Sequence, residues 1–207
     1  MIDDTLRTHW EDVYRTKQSD QMSWTQPRPD TSLTLIDALQ LDKNEPIIDV
    51  GGGESRLVDY LLQEGFTDIT VLDISQRAID RAKARLGPLS DRVTWIVINV
   101  LDFIPSRAYR VWHDRATFHF LTGKHDIEKY VGIVEKSVIG GDLILGTFSM
   151  DGPVKCSGLP VKQYDRSSIQ QVFGQSFRLA TSAHVDHITP FGTSQSFIFS
   201  NLKKKPQ

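Results

Sequence analysis

The stretch Ile47-Ile48-Asp49-Val50-Gly51-Gly52-Gly53-Glu54-Ser55, followed by Val71-Leu72-Asp73-Ile74-Ser75, constrains the fold of this chain more than any other feature. It reads as a buried strand, a glycine turn opening a helix from about Ser55, and a second strand tipped by an acid. Gly51 and Gly53 carry no Cβ, so the backbone there can adopt strained angles and press close to a ligand. The opening turn of the helix points its unpaired N–H groups at the same spot. Asp73, at the tip of the second strand, is placed to accept hydrogen bonds from two ribose hydroxyls. The unit is half of a nucleoside pocket.

The departure from the dinucleotide fingerprint G-x-G-x-x-G matters as much as the match. Gly51-x-Gly53 is followed by Glu54, Ser55 and Arg56, so the third glycine is missing. Glu54 stands where a pyrophosphate needs positive or neutral surroundings, and Asp49 adds negative charge on that side. A ligand with a ribose, an adenine and a cationic amino acid suits this turn better than NAD does.

Strand-like and helix-like segments then alternate, which predicts a parallel sheet covered on both faces. Helices are expected over Leu57 to Glu64, stopped by Gly65; from Ser75, as cap, to Leu86; and over Asp126 to Ser137, before Gly140-Gly141. Strands are expected over Ile69–Leu72, Val93–Ile98, Tyr109–His113 and Leu143–Phe148. A loop over Asp151–Pro160 and a helix around Ser167–Phe173 follow. Phe177–Val185 and Ser194–Ser200 read as two late strands joined through Gly192, a hairpin that forces one strand to run antiparallel. Before the sheet, Thr5–Thr16 has helical spacing, Pro27 and Pro29 interrupt, and Asp30 or Thr31 caps a helix to Leu39. The organisation is a single domain, with residues 1–42 as an N-terminal helical cap and 43–207 as the core.

The glycine turn resembles motif I (hydrophobic-Asp-x-Gly-x-Gly-x-Gly/Ser) of the class I S-adenosylmethionine (SAM) methyltransferases. With His9-Trp10-Glu11, Ser23-Trp24, Trp112-His113-Asp114-Arg115 and Cys156-Ser157-Gly158-Leu159-Pro160, the chain is similar to small bacterial methyltransferase-domain proteins. These are related to the eukaryotic methyltransferase-like group, which includes protein lysine methyltransferases. The resemblance implies an α/β, Rossmann-like, seven-stranded, mostly parallel sheet with an antiparallel last strand, helices on both faces and an N-terminal cap over the cofactor.

Carried over by position, the resemblance places Asp49, Gly51 and Gly53 at the methionine and ribose portion of SAM. Asp73 would hold the ribose hydroxyls, Ile74 would pack on the adenine, and Val100 and His113 would join the cofactor-binding residues. Asn99 replaces the acid that many members use for the adenine amine; its amide oxygen can accept the same bond, with Asp102 as fallback. Ligands of open parallel sheets bind beyond the carboxyl ends of the strands, where His113-Asp114-Arg115 and Phe118-His119-Phe120 gather. Asp114 is the first choice for orienting the SAM amino acid or the acceptor, unless it simply pairs with Arg115. Arg115 can clamp a carboxylate of cofactor or substrate. His119 is a candidate general base, with a structural histidine as the alternative. Trp10, Tyr14, Trp24, Trp112 and Phe118 are candidate aromatic walls. Cys156 and His187 join the substrate pocket. His184, Asp186 and His187 lack a further ligand, so a hairpin end is preferred to a metal site and no metal is expected.

Composition narrows the remaining classes. With 39% hydrophobic residues, 24% charged residues and a net charge of -2, the chain reads as an ordinary globular protein without a nucleic-acid footprint. Lys203-Lys204-Lys205 reads as a solvated tail. The single cysteine excludes an internal disulfide and fits a reducing compartment. No long apolar run or secretory leader is visible, so the expectation is a cytoplasmic monomer or homodimer, off the membrane. The expected reaction is in-line methyl transfer from SAM, yielding S-adenosylhomocysteine (SAH), to an N, O or S nucleophile. A small-molecule acceptor is favoured over a protein lysine, because no long insertion builds a docking surface. The competing classes are an NAD(P)-dependent oxidoreductase and a non-catalytic SAM-binding protein.

Overall fold

In the computed structural model, which describes residues 2–206 (side chains from residue 5), six α-helices surround one seven-stranded sheet. The elements are α1 (Ile2–Thr16), α2 (Asp30–Asp37), β1 (Ile47–Val50), α3 (Leu57–Gln63), β2 (Ile69–Asp73), α4 (Gln76–Leu86), β3 (Val93–Val97) and β4 (Tyr109–Arg115). They continue as α5 (Lys124–Ser137), β5 (Val138–Phe148), a two-residue pair β6 (Lys155–Cys156) and β7 (Leu159–Pro160), α6 (Arg166–Phe173), β8 (Phe177–Ile188) and β9 (Ser194–Lys204). Strand order is β3-β2-β1-β4-β5-β9-β8. β1 to β5 pair in parallel, and β9 runs antiparallel to both of its neighbours. This is the Rossmann-like sheet with an antiparallel last strand that the resemblance implied.

The strands are apolar on both sides because each face must be covered. Ile48, Val50, Leu72, Trp112, Leu143 and Leu145 face one core, closed by α5 and α6 through Tyr130, Val134, Ile169 and Phe173. Ile47, Ile69, Val71, Val111 and Ile144 face the other, closed by α2, α3 and α4 through Leu33, Leu57, Leu61 and Ile79. Neighbours in sequence thus bury on opposite sides, the two-residue period of a strand.

Three local expectations are corrected. Neither Asp30 nor Thr31 caps α2: Pro29 holds the cap position without a side-chain hydrogen bond, and Asp30 is the first helical residue. Gly140-Gly141 is no stop after α5; the pair lies inside β5, at the irregularity between Tyr109 and Val111 of β4. The lysine run is no solvated tail. Lys203 and Lys204 belong to β9, Lys204 Nζ donates to the Glu135 carbonyl, and Lys205 Nζ donates to the Gly174 carbonyl.

The second half of α1 is fastened to α4 at two points. Ser75 caps α4 by accepting from Ala78 N at 3.2 Å. The first two helical N–H groups, Gln76 and Arg77, instead find the Glu11 carboxylate of α1, at 2.6 and 3.3 Å. A carboxylate there meets the positive end of the helix dipole. Farther along, the Arg81 guanidinium donates to the carbonyls of Tyr14 and Lys17, at the C-terminal end of α1. Among the described residues, no helix is long and apolar enough to cross a membrane.

Candidate active site

The carboxyl ends of β1 to β5, α1 and the loop after it enclose two adjoining clefts. The first is lined by Leu6, Trp10, Tyr14 and Trp24 above, and by Gly51, Leu72–Ile74, Ile98–Val100, Arg115–Thr117, Phe120, Leu121 and Cys156 below. The second runs between the loop from Ser19 to Pro29, the turn and its surroundings (Asp49, Gly51, Gly52, Glu54–Arg56, Arg85, His113), and Ile188–Pro190 at the hairpin tip. Tyr14, Trp24, Gly51 and Arg115 belong to both.

The glycine turn is shaped by close approach. Gly51 has φ +66°, and a Cβ there would stand 1.7 Å from Thr117 Oγ1. Gly53 has φ +45°, and a Cβ there would come within 2.9 Å of both Asp73 Oδ2 and Tyr14 Oη, filling the cradle between them. Both positions therefore exclude any side chain. The helix begins later than expected, at Leu57 rather than about Ser55, with Ser55 Oγ accepting from Leu57 N. Arg85 covers the intervening residues, donating to the carbonyls of Glu54 and Ser55 at 3.0 and 2.8 Å. Glu54 is no isolated negative charge, because it pairs with Arg81 at 3.1 Å and accepts from Ser19 Oγ at 2.6 Å.

Asp73 ends β2 at the floor of the first cleft. Its Oδ1 accepts from Ser75 N at 2.8 Å, which leaves Oδ2 toward Gly53. Burial pushes its pKa up to about 7 against the lowering effect of the Ser75 N–H, and the neighbouring charges of Asp49 and Glu11 add to the rise. Ile74 and Val100 line the same cleft. Asn99 lines it too, while its Oδ1 accepts from Leu101 N at 3.0 Å as the cap of a 3-10 turn. Asp102, the fallback, is half outside and pairs with Lys129 at 3.2 Å, away from both clefts.

The end of β4 corrects the expected catalytic cluster, and the strand period supplies the reason. His113 and Arg115 face the clefts, and Asp114 between them faces the opposite core. The Asp114 carboxylate, fully buried, accepts from Thr117 N at 3.0 Å, Phe118 N at 3.1 Å and Tyr130 Oη at 2.5 Å. It braces the turn after β4, lines neither cleft and does not pair with Arg115. Burial lifts its pKa to about 6 despite those donors. His119 is also fully buried and lines neither cleft; it packs 4.6 Å from the Phe148 ring and is the structural histidine of the two alternatives. Burial drags its pKa to about 3, so it stays neutral inside the core. Trp112 and Phe118, expected as pocket walls, are core residues with no exposed surface.

His113 Nδ1 meets Asp49 Oδ1 at 2.7 Å, and its Nε2 meets Ser32 Oγ at 2.9 Å. The order of groups is that of a nucleophilic triad, yet the Ser32 hydroxyl is buried outside both clefts. The chain of bonds instead ties α2 to the strands beneath it. Arg115 donates one N–H from Nη1 to the Trp24 carbonyl at 2.9 Å and lies 5.2 Å from the Phe197 ring centre. Burial lowers its pKa to about 10, and it remains a cation.

Trp10, Tyr14, Trp24 and Cys156 do meet in the first cleft. Trp10 stands edge-on to Trp24 and to Phe120, with ring centres 5.8 and 5.2 Å apart. The Cys156 thiol is pushed up to about 11 by burial, so it is uncharged at neutral pH. His187 does not line a cleft; its Nε2 meets the Ser23 carbonyl at 2.6 Å and ties the hairpin to the N-terminal loop. Among the described residues no group of three or more His, Cys, Asp or Glu side chains is arranged to hold a metal. Sequence reasoning missed Thr117 and named Phe120 only as part of the strand-end cluster. Ala116, a non-glycine at φ +69°, turns Thr117 back against Gly51 and the Val50 carbonyl, a turn that nothing in the sequence announces.

The donors and spaces fit a nucleoside carrying an amino acid: a strand-tip carboxylate with one oxygen toward the cradle, apolar flanks at Ile74 and Val100, and a cleft bordered by Gly51, while Gly53 itself lines neither cleft. Strand order, glycine turn and acid-tipped β2 together give the Rossmann-like fold typical of class I methyltransferases. Residues 47–136 match the family model described as a methyltransferase domain. No curated protein matches the chain by sequence. Among solved structures, it is similar to a SAM-dependent methyltransferase from Anabaena variabilis, at 13% identity, TM-score 0.75, over 99% of this chain and 96% of that one. It is similar to Burkholderia thailandensis 1,6-didemethyltoxoflavin-N1-methyltransferase, at 15% identity and TM-score 0.74, over 98% and 88%. The N-methyltransferase NodS of Bradyrhizobium japonicum follows at 13% and TM-score 0.69, over 96% and 99%. At these identities the likeness speaks for the fold.

Proposed function

We propose that this protein transfers a methyl group from SAM to an N, O or S nucleophile of a small molecule. In this reading residues 1–42 cap the core of a single domain. The observation that carries it is the Asp73 carboxylate, whose Oδ2 faces the Gly53 cradle while Oδ1 is held by Ser75. Asp73 takes the ribose hydroxyls, Gly51 and Gly53 allow close approach, and Ile74 and Val100 flank the base. When bound, SAM supplies a methyl already activated on a sulfonium. The protein's share of the chemistry is therefore alignment and exclusion of water. Trp10, Trp24 and Phe120 provide that enclosure, and their π faces suit a cationic methyl donor. No described side chain of the first cleft is a neutral-pH base other than Asp73, so the acceptor must arrive with a nucleophile that needs little help losing a proton.

The small-molecule preference is supported by the closed aromatic cleft, and by a neighbour of the same fold that was solved with bound 1,6-didemethyltoxoflavin and SAH. Calorimetry with SAM, SAH and NADH tests the cofactor. SAM and SAH are expected to bind; NADH binding without SAM binding overturns the reading. A radiolabelled-methyl screen of cell lysate, split into protein and small-molecule fractions, tests the acceptor. Label confined to protein overturns the small-molecule class.

A further inference from the structure

Among the described residues, three part-buried arginines near the sheet ends besides Arg115 are each closed by a carboxylate. Arg81 meets Glu54, Arg110 meets Asp142, and Arg85 meets Asp59. The Arg85 pair shows the geometry most clearly. Its Nε and Nη2, the side-on edge of the guanidinium, donate to Asp59 Oδ1 and Oδ2 at 2.9 and 2.8 Å. Arg115 is the exception. Nη1 is taken by the Trp24 carbonyl, but Nε and Nη2 are buried and have no hydrogen-bond partner. These two atoms form the same edge that Arg85 closes on an aspartate. Parallel N–H groups on that edge match the two oxygens of a carboxylate.

Among the described residues, no acid completes the pair. Asp49 lends its charge from nearby, but its Oδ1 meets His113 and it makes no hydrogen bond to Arg115. Asp114 points to the other face of the sheet. A buried donor pair without an acceptor is costly, and proteins seldom keep one that nothing answers. The Arg115 side chain belongs to both clefts, on the side of Cys156, Phe197 and Trp24, whereas Asp73 and Ile74 lie on the β2 side of the glycine turn. Trp10, Trp24 and Phe120 form the adjoining apolar wall.

Resting on the methyltransferase reading, we propose that the acceptor is a small aromatic carboxylic acid, whose carboxylate is clamped side-on by Nε and Nη2 of Arg115. Arg115 then fixes the acceptor's position under the aromatic wall, and a neutral analogue leaves the fork unanswered.

Benzoate and its neutral isostere benzamide are the probes, titrated calorimetrically into the full chain with and without saturating SAH. Benzoate is expected to bind at least about tenfold more tightly than benzamide, the worth of a charge-assisted pair. R115Q is expected to erase that preference while SAH affinity stays within about threefold. R115K keeps the charge but loses the fork, and is expected to recover only a minor part of the preference. It carries the comparison if R115Q does not fold by circular dichroism. The proposal is overturned if benzoate is not preferred, if the preference survives in R115Q or is complete in R115K, or if either variant weakens SAH by about tenfold. That last result would assign the fork to the cofactor carboxylate. Absence of SAH binding in the unaltered protein would instead sink the methyltransferase reading, while the titration without SAH still decides the carboxylate site.

Discussion

Asp73 and Asp114 are two acids at the ends of parallel strands, both buried and both with pKa values raised by that burial, yet they serve different purposes. Asp73 gives one oxygen to the protein and turns the other toward the cradle at Gly53. Asp114 gives both, to Thr117 N, Phe118 N and Tyr130 Oη. A strand-end acid is therefore not a site by location alone; its hydrogen-bond partners decide. One acid should govern ligand affinity, and the other stability.

The sharpest way to break that contrast is to truncate each. Asp114→Ala strands two buried amides and a tyrosine hydroxyl, and is expected to cost about 3–4 kcal/mol of stability. SAH affinity in the protein that remains folded should stay within about threefold, as chemical denaturation and calorimetry would show. Loss of affinity without loss of stability would merge the two roles. Asp73→Ala should do the reverse, weakening SAH by roughly 100-fold, about 3 kcal/mol, for two hydroxyl contacts to a carboxylate. Its melting temperature should hold, since a buried carboxylate is removed. Unchanged affinity would place the ribose elsewhere.

Acidity sharpens the same comparison. Asp73 titrates near pH 7 when folded, above the ordinary carboxylate value, so the free protein loses this group's stabilisation as pH rises toward 7. Ribose hydroxyls favour the ionised form, so SAH affinity should move oppositely. It should be flat above about pH 8 and fall by up to about tenfold per unit below 7. Calorimetry in buffers of different ionisation enthalpy should detect proton release on binding near pH 6. An Asp73→Asn variant should lose that dependence, whereas Asp114→Asn should keep it. Equal slopes in both variants would mean that neither acid is the titrating group. The smallest effect belongs to Glu11→Gln, which removes only a charge at the start of α4. It should lower stability by about 0.5–1 kcal/mol at low salt and by less at high salt.

Much of this architecture was readable before any coordinates. The alternation of apolar strands and capped helices gave the parallel sheet, Ser75 was legible as a cap, and the late hairpin announced the antiparallel strand. The β2 side of the site was legible because Asp73 and the glycine turn are local signals whose spacing fixes their meeting. The β4 side was not. His113, Asp114 and Arg115 look like one polar cluster in sequence, but a strand sends its middle member to the opposite core. Likewise His119 reads as a base until the aromatic packing around it is seen. Gly140-Gly141 looks like a helix stop, and only the pairing with β4 shows it inside a strand. Partners such as Ser32 for His113 or Ser23 for His187 come from distant segments, and no short-range pattern announces them.

The fastening of α1 has a kinetic consequence. Beside the apolar contact of Val13 and Tyr14 with Ala78, its polar attachments to α4, Glu11 on the opening amides and Arg81 on the closing carbonyls, are charged groups meeting backbone dipoles. The core beneath is held by apolar contact. Ionic strength therefore weakens the hinge of the roof more than the floor. In the proposed reading, in which SAH sits under Trp10 and Tyr14, its dwell time should shorten with added salt while the melting of the core barely changes.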